Sequence, residues 1–370
     1  MILVLEPNTR PEGLDYRMLT GQLERLPNVT FRVHREVGTE VTLTEIYLIG
    51  NTGALTVEQM QVLPCVAKVV RVSEPYRVLG RHKQGDDRAS SFEYNGVRFG
   101  QDSLNVFAGL CAVDSRESVE GMMKALRDHG QVCTRMGAYK PRTSPYAFQG
   151  FGAECLPYVF ELAGKYGIRV ISMEVTHESH VDEIRAALAA TGNATGVMLQ
   201  IGTRNTQNFE LLKLVGRQQE FPVLIKRGFG ITLDESLNAA EYLATEGNRK
   251  IVFCLRGMKT NMGDPHRNFV DFSHVPVVKR LTRMPVAIDP SHSVGTRASA
   301  PDGLLDIFHV VAQGVIAGAN MVLVDFHPRP EEALCDGPQA LLLPELAHFL
   351  ADAAVVRKCY LERVKQRPAS

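Results

Sequence analysis

Gly196-Val197-Met198-Leu199-Gln200-Ile201-Gly202-Thr203-Arg204-Asn205 is the stretch on which the fold turns. Its first six residues are apolar on nearly every side, as in a strand of a parallel sheet covered on both faces. The run stops at a glycine, and a guanidinium and an amide follow at once. The same pairing, a buried strand with a polar end, recurs on both sides of it. Apolar runs at 105–110, 131–135 and 168–173 precede it, and runs at 222–226, 250–255, 285–289 and 321–326 follow. Each leads into a stretch of helical spacing. Eight such units over roughly 240 residues predict an α/β fold, a (β/α)8 TIM barrel over 104–370. A doubly wound open sheet is the fallback. A last amphipathic helix is expected over about 344–364.

Residues 1–73 read differently. Short strands at 2–5, 29–37, 41–49 and 66–72 surround helices at 14–26 and 57–63, with Val29, Phe31 and Val33 expected inward. The order βαββαβ predicts a ferredoxin-like α+β domain with a regulatory or assembly role. Residues 74–103 are polar and rich in Gly, Asp and Arg; they read as a linker with a hairpin turning at Asn95-Gly96.

Composition narrows the partners. Among 370 residues, Lys+Arg and Asp+Glu both number 41, so the net charge is zero. A balanced chain gives no electrostatic case for nucleic acid or an anionic membrane. The seven cysteines are scattered and contain no C-x-x-C pair, which points to a reducing compartment. Residues 1–7 show neither a basic leader nor a long apolar core, and no run is long enough to span a bilayer. The expected location is the cytoplasm.

The unusual residues fall at the strand ends, which in a barrel share one mouth. Two sets emerge. Arg135, Lys140, Arg142, Arg204, Lys226 and Arg256 are cations that would repel one another unless anions joined them. Guanidinium forks suit phosphate and carboxylate oxygens, and this number suits two phosphates and a carboxylate. The bland alternative for each is a surface salt bridge. Cys111, His292, Asp325 and Asp336 make a plausible divalent-metal set, although a lone cysteine is more often a small buried hydrophobe, and His292 would also serve to cap the loop after Asp289. Glu174, His177 and His327 lie near the mouth, and the two histidines read as structural.

These residues resemble a known family. Arg135-Met136-Gly137-Ala138-Tyr139-Lys140-Pro141-Arg142-Thr143-Ser144-Pro145-Tyr146-Ala147-Phe148-Gln149-Gly150 is similar to the substrate loop of the 3-deoxy-D-arabino-heptulosonate 7-phosphate (DAHP) synthases of the type I beta branch. So are Gln200 to Asn205 with Gln207-Asn208-Phe209, Leu224-Ile225-Lys226-Arg227-Gly228 and Asp289-Pro290-Ser291-His292. The likeness runs through the barrel in order, and the form of the branch with an N-terminal regulatory domain matches residues 1–73. The resemblance implies condensation of phosphoenolpyruvate with erythrose 4-phosphate. Arg135, Lys140, Arg204, Lys226 and Arg256 would hold phosphoenolpyruvate, and Arg142, Thr143 and Ser144 the aldose phosphate. Lys140, Arg135 and His292 would be catalytic. Cys111, His292, Asp325 and Asp336 would bind a divalent ion (Mn, Co, Zn or Fe). It further implies a homo-oligomer, a dimer or tetramer, with tyrosine or phenylalanine as effector.

Four positions depart from the family pattern. Gly109-Leu110-Cys111-Ala112 replaces Gly-Pro-Cys-Ser, Asp325 replaces a glutamate, and Leu255 stands where the branch has glutamate, a change another branch shares. Rival readings are a paralogue using another phosphorylated aldose, an octulosonate-forming synthase, and a catalytically silent regulator.

Overall fold

The computed structural model describes residues 1–37, 41–71, 76–81 and 89–367. It divides into two compact units, Met1–Arg77 and Val78–Ser370. The expected boundary between residues 73 and 74, the end of the strand expected over 66–72 and residues 82–88 of the expected linker lie outside the described residues.

In the first unit, β1 (Ile2–Leu5), β2 (Val29–Val37), β3 (Thr42–Gly50) and β4 (Val66–Val70) form one sheet in the order β2-β3-β1-β4. Every neighbouring pair is antiparallel. Helices α1 (Leu14–Leu23) and α2 (Val57–Gln61) connect them in the ferredoxin-like manner. Leu19 and Leu23 of α1 bury against Leu3, Leu5, Ile46 and Leu48. A reciprocal capping box between Thr56 and Gln59 starts α2, satisfying two backbone donors that a helix N-terminus leaves free. Val33, expected inward, is 42% exposed although it stands opposite the buried Ile46, because β2 is the edge strand of the sheet.

The second unit is the barrel. Its strands are β7 (Asn105–Leu110), β8 (Cys133–Met136), β9 (Val170–Glu174), β10 (Gly196–Ile201), β11 (Val223–Lys226), β12 (Ile251–Leu255), β13 (Val286–Ile288) and β14 (Met321–His327). They pair in parallel in chain order, and β13 and β14 close the ring through β14 with β7. Short strands β5 (Phe92–Tyr94) and β6 (Val97–Phe99) precede them.

That hairpin corrects the linker reading. Val97 and Phe99 are buried in one cluster with Phe107, Met198 and Leu323 from the barrel strands. The Asn95 amide donates to the carbonyl of Arg169 at 2.6 Å, and the Val197 N–H to the Tyr94 hydroxyl at 3.1 Å, both where strands begin. The hairpin therefore stoppers the end of the barrel opposite the strand C-termini. Each buried phenylalanine contributes about 1.5–3 kcal/mol to that closure.

Candidate active site

A cavity at the C-terminal ends of the strands is lined by Lys140, Arg142, Thr143, Ser144, Arg204, Lys226, Arg256, His292 and Asp336, so most of the expected residues meet there. Arg135, Cys111 and Asp325 are buried beside it: Cys111 bonds Lys140 of the lining, and Arg135 bonds Cys111 and pairs with Asp325. Glu174, also in the lining, accepts from the Gln200 amide at 3.2 Å.

The close approach of β7 and β8 at their ends depends on glycine. A β-carbon on Gly137 would stand 2.3 Å from the Cys111 carbonyl oxygen. The loop after β8 can thus pass Cys111 and deliver Lys140, whose Nζ lies 2.8 Å from Cys111 Sγ and 3.3 Å from its carbonyl. Arg135 pairs with Asp325 and donates to Cys111 Sγ at 3.4 Å. Lys226 pairs with Asp289 at 2.5 Å. Burial opposes charge on Arg135 and Lys140, but Asp325 beside the first and the Cys111 sulfur beside the second hold both pKa values above their ordinary range.

Arg256 is different. It is 2% exposed, and its Nε and Nη1 have no hydrogen-bond partner. Burial depresses its pKa, yet a guanidinium stays protonated. Its carbon lies 4.8 Å from the centre of the Phe229 ring, and that of Arg204 lies 5.4 Å from the same ring. Cation–π contact relieves part of the desolvation cost, on the order of 2 kcal/mol when water is excluded. The free N–H groups leave the rest to an anion in the cavity.

At the other end of the cavity, Cys111, His292 and Asp336 place their donor atoms within 4.8 Å of one another. Cys111 Sγ is 3.1 Å from Asp336 Oδ2 and 3.7 Å from His292 Nε2, and Nε2 is 3.6 Å from Oδ2. Ligand atoms around a tetrahedral ion are separated by about 3.2–3.8 Å, given bonds of 2.0–2.3 Å, so these edges fit a divalent metal. Asp289 supports this reading. It caps the short helix Pro290–Val294 through the His292 N–H at 3.1 Å and also meets Nδ1 at 3.0 Å. With Nδ1 held by a carboxylate, Nε2 is the nitrogen turned to the ligand position, as in many metal-binding histidines. The capping and ligand readings of His292 therefore coexist.

Charge at this cluster is tightly linked. Burial lowers the basicity of His292, but Asp289 and Asp325 outweigh it and raise the pKa to about 9. Burial raises Asp336, while His292, Lys140 and Arg267 hold it far below the carboxylate range. Hydrogen bonding to Cys335, burial and Asp325 push the Cys111 thiol well up. Asp336 sits in the left-handed region at φ 55°, strain that costs about 1–3 kcal/mol and concentrates at functional sites.

Asp325 does not join the cluster of Cys111, His292 and Asp336. Its carboxylate takes Arg135 on one oxygen and the Gln339 amide on the other, at 2.5 Å. His327 bonds Asp114 at 2.5 Å, and His177 meets Ser179 at 3.1 Å. Sequence reasoning missed Arg267, Gln339, Phe229 and Cys335. Arg267 donates to Asp336 Oδ1 at 3.1 Å and to Gln339 at 2.8 Å. Only Gln339, three residues after Asp336 in Asp-Gly-Pro-Gln, carried a local signal, being an amide in a tight turn.

Fold and site together define a class: a (β/α)8-barrel enzyme whose mouth joins a polycationic pocket to a thiol, imidazole and carboxylate cluster. The chain belongs to the DAHP synthetase I family, whose model matches residues 81–359. It is 37% identical over 364 residues to the phospho-2-dehydro-3-deoxyheptonate aldolase of Thermotoga maritima, covering 96% of this chain and 99% of that one. A 2-dehydro-3-deoxyphosphooctonate aldolase of a Bradyrhizobium species is 28% identical over 269 residues, 69% of this chain and 88% of that one. The crystal structure of the Thermotoga maritima aldolase, a DAHP synthase, superposes with a TM-score of 0.74 at 33% identity, covering 97% of each chain. A truncated form of a Thermotoga maritima DAHP synthase gives 0.65 at 31% identity, covering 77% of this chain and 97% of that one.

Proposed function

We propose that this chain condenses phosphoenolpyruvate with erythrose 4-phosphate to give DAHP and inorganic phosphate, the first step of the shikimate pathway. The observation that carries this reading is Arg256, a buried guanidinium with two unpartnered groups in a cavity that also holds Lys140, Arg142, Arg204 and Lys226. Such a charge is retained only where an anion completes it. Arg204, Lys226 and Lys140 surround the same space and suit the phosphate and carboxylate of phosphoenolpyruvate. Arg142, Thr143 and Ser144 suit the phosphate of the aldose; Arg204 donates to Thr143 at 3.0 Å, tying the two loops together.

Cys111, His292 and Asp336 would hold a divalent ion, which when bound would supply Lewis-acid polarisation of the aldehyde carbonyl. The chain's own groups do the rest. Cations neutralise two anionic substrates so that they approach within bonding distance. C3 of the enol phosphate bonds to the aldehyde carbon, water adds at C2, and phosphate leaves with C–O cleavage. Lys140 in the cavity wall and Arg135 buried beside it, both held charged, offset the negative charge that develops.

The metal's identity, a dimeric or tetrameric assembly, a cytoplasmic location and feedback by tyrosine or phenylalanine through residues 1–77 belong to the same proposal. No helix among the described residues is long and apolar enough to cross a membrane. Substrate choice is tested by offering purified protein phosphoenolpyruvate with four-carbon and five-carbon aldose phosphates and weighing the products. A seven-carbon product formed preferentially is expected; a preferred eight-carbon product would replace the substrate assignment.

A further inference from the structure

Phe229 is a half-buried ring in the loop after β11, and three cations gather on it. The guanidinium carbon of Arg256 stands 4.8 Å from the ring centre, that of Arg204 5.4 Å, and the Lys259 amine 5.9 Å. Arg204 follows β10, while Arg256 and Lys259 follow β12, so one side chain joins three neighbouring strand ends at the barrel mouth. Among the described residues no carboxylate pairs with any of the three cations.

The turn that presents the ring is fixed by other groups. Thr206 Oγ1 donates to the Lys226 carbonyl at 2.8 Å, and Thr203 Oγ1 donates to that of Arg227. The Arg227 guanidinium reaches the Ile231 carbonyl at 3.4 Å while it pairs with the buried Asp271 at 3.1 Å. A β-carbon on Gly228 would stand 2.6 Å from Ile231 Cδ1, so the chain is closely packed just before the ring. The ring is therefore a platform set in advance of the cations that rest on it.

The mouth holds its cations in two ways. Arg135 and Lys226 are paired with Asp325 and Asp289, which neutralise them and occupy their donors. A carboxylate beside Arg256 would do the same and compete with an incoming anion. A ring face attracts a guanidinium through its quadrupole, carries no net charge and takes up no N–H group. Arg256 shows the result: it is 2% exposed, and its Nε and Nη1 are unpartnered. We infer that Phe229 is a positioning residue of the anion pocket, its ring orienting Arg256 and Arg204 while leaving their charge and donors to phosphoenolpyruvate. The inference rests on the reading that this cavity takes that substrate. Phe229 is not among the lining residues, so it acts through the two guanidiniums. Lys259, exposed and farthest from the ring, adds least.

Calorimetric titration of the full chain with phosphoenolpyruvate alone reads Kd without turnover. Phenylalanine analogues with one, three and five ring fluorines at position 229 keep the ring's shape and progressively remove its negative face. Kd should rise stepwise along the series, by about tenfold or more at five fluorines. Phe229→Leu should match that last member, and Phe229→Tyr should bind as the wild type does. In turnover the loss should fall on KM for phosphoenolpyruvate, with kcat at saturation changed by no more than about twofold. A flat fluorine series, or a loss in Phe229→Leu alone, reduces the ring to packing and overturns the inference while leaving the substrate reading intact. Wild-type protein that binds no phosphoenolpyruvate overturns the substrate reading together with it. Should Phe229→Leu fail to fold, the fluorinated rings, close to the native shape, decide the matter.

Discussion

At the scale of single residues, Arg256 separates function from stability. A buried, incompletely paired charge is a cost to the ligand-free fold, and replacing such groups with apolar side chains of similar size is often neutral or stabilising. Arg256→Met should therefore leave the stability of the free protein unchanged or raise it by about 1 kcal/mol or more, with no fall in melting temperature, and cut kcat/KM for phosphoenolpyruvate by about 100-fold or more. A lower melting temperature would mean that the guanidinium holds the barrel together. Arg204→Ala and Arg142→Ala divide the two substrates. Each loses charge-assisted contacts worth about 1.5–3 kcal/mol. The first should raise KM mainly for phosphoenolpyruvate and the second mainly for the aldose; equal loss for both substrates in both variants would argue for a general field.

His292 gives a pH signature. Burial lowers its basicity, Asp289 and Asp325 raise it further, and the pKa comes to about 9, above the unfolded value of about 6.5. A raised pKa means that folding is stabilised by the bound proton. That stability is fully present below about 6.5 and is lost as pH rises through about 9. Metal-free protein should melt at lower temperature at pH 9.5 than at pH 7. A metal on Nε2 must displace the same proton, and another from the Cys111 thiol that burial and its neighbours keep protonated. Binding at pH 7 should release about two protons, measurable by calorimetry in buffers of different ionisation enthalpy. No proton release would remove His292 and Cys111 from the ligand set.

At the scale of elements, Gly137 is the point where strand geometry becomes site geometry. A β-carbon there meets the Cys111 carbonyl oxygen at 2.3 Å, so Gly137→Ala must push β7 and β8 apart. Because Cys111 and Lys140 flank the contact, metal affinity and kcat/KM should fall by tenfold or more while the circular dichroism of the barrel persists. Unchanged metal affinity would show that the loop adapts. The eight barrel strands were legible because both faces are buried, which leaves uninterrupted apolar runs that polar ends punctuate. The hairpin β5–β6 was legible from its Asn95-Gly96 turn, but its packing was not, because what holds Val97 and Phe99 is a barrel interior supplied by distant residues. At the site, charged residues at strand ends were legible for the same reason as the strands. Arg267 was not, since it lies in a long loop with no period to set it apart. Nor was the commitment of Asp325 to Arg135, because one methylene decides which neighbour a carboxylate reaches, and that choice is made in three dimensions.

At the scale of the whole molecule, Met1–Arg77 forms a complete sheet with its own buried core and supplies none of the residues assigned to the cavity. Feedback through it requires an effector that binds one state of the protein better than another. If tyrosine or phenylalanine inhibits the full chain, deletion of residues 1–77 should leave an active, insensitive barrel. Inhibition that survives the deletion would place the effector site in the barrel. The barrel itself carries the central claim, that a divalent ion and a cationic pocket join phosphoenolpyruvate to a phosphorylated aldehyde. The most direct measurement is phosphate release and heptulosonate formation by purified protein given phosphoenolpyruvate and erythrose 4-phosphate, before and after chelation and after return of Zn²⁺, Co²⁺ or Mn²⁺. The account predicts equal amounts of phosphate and heptulosonate, abolished by the chelator and restored by an added ion. Folded, metal-loaded protein that releases no phosphate, or full activity in metal-free protein, would contradict it.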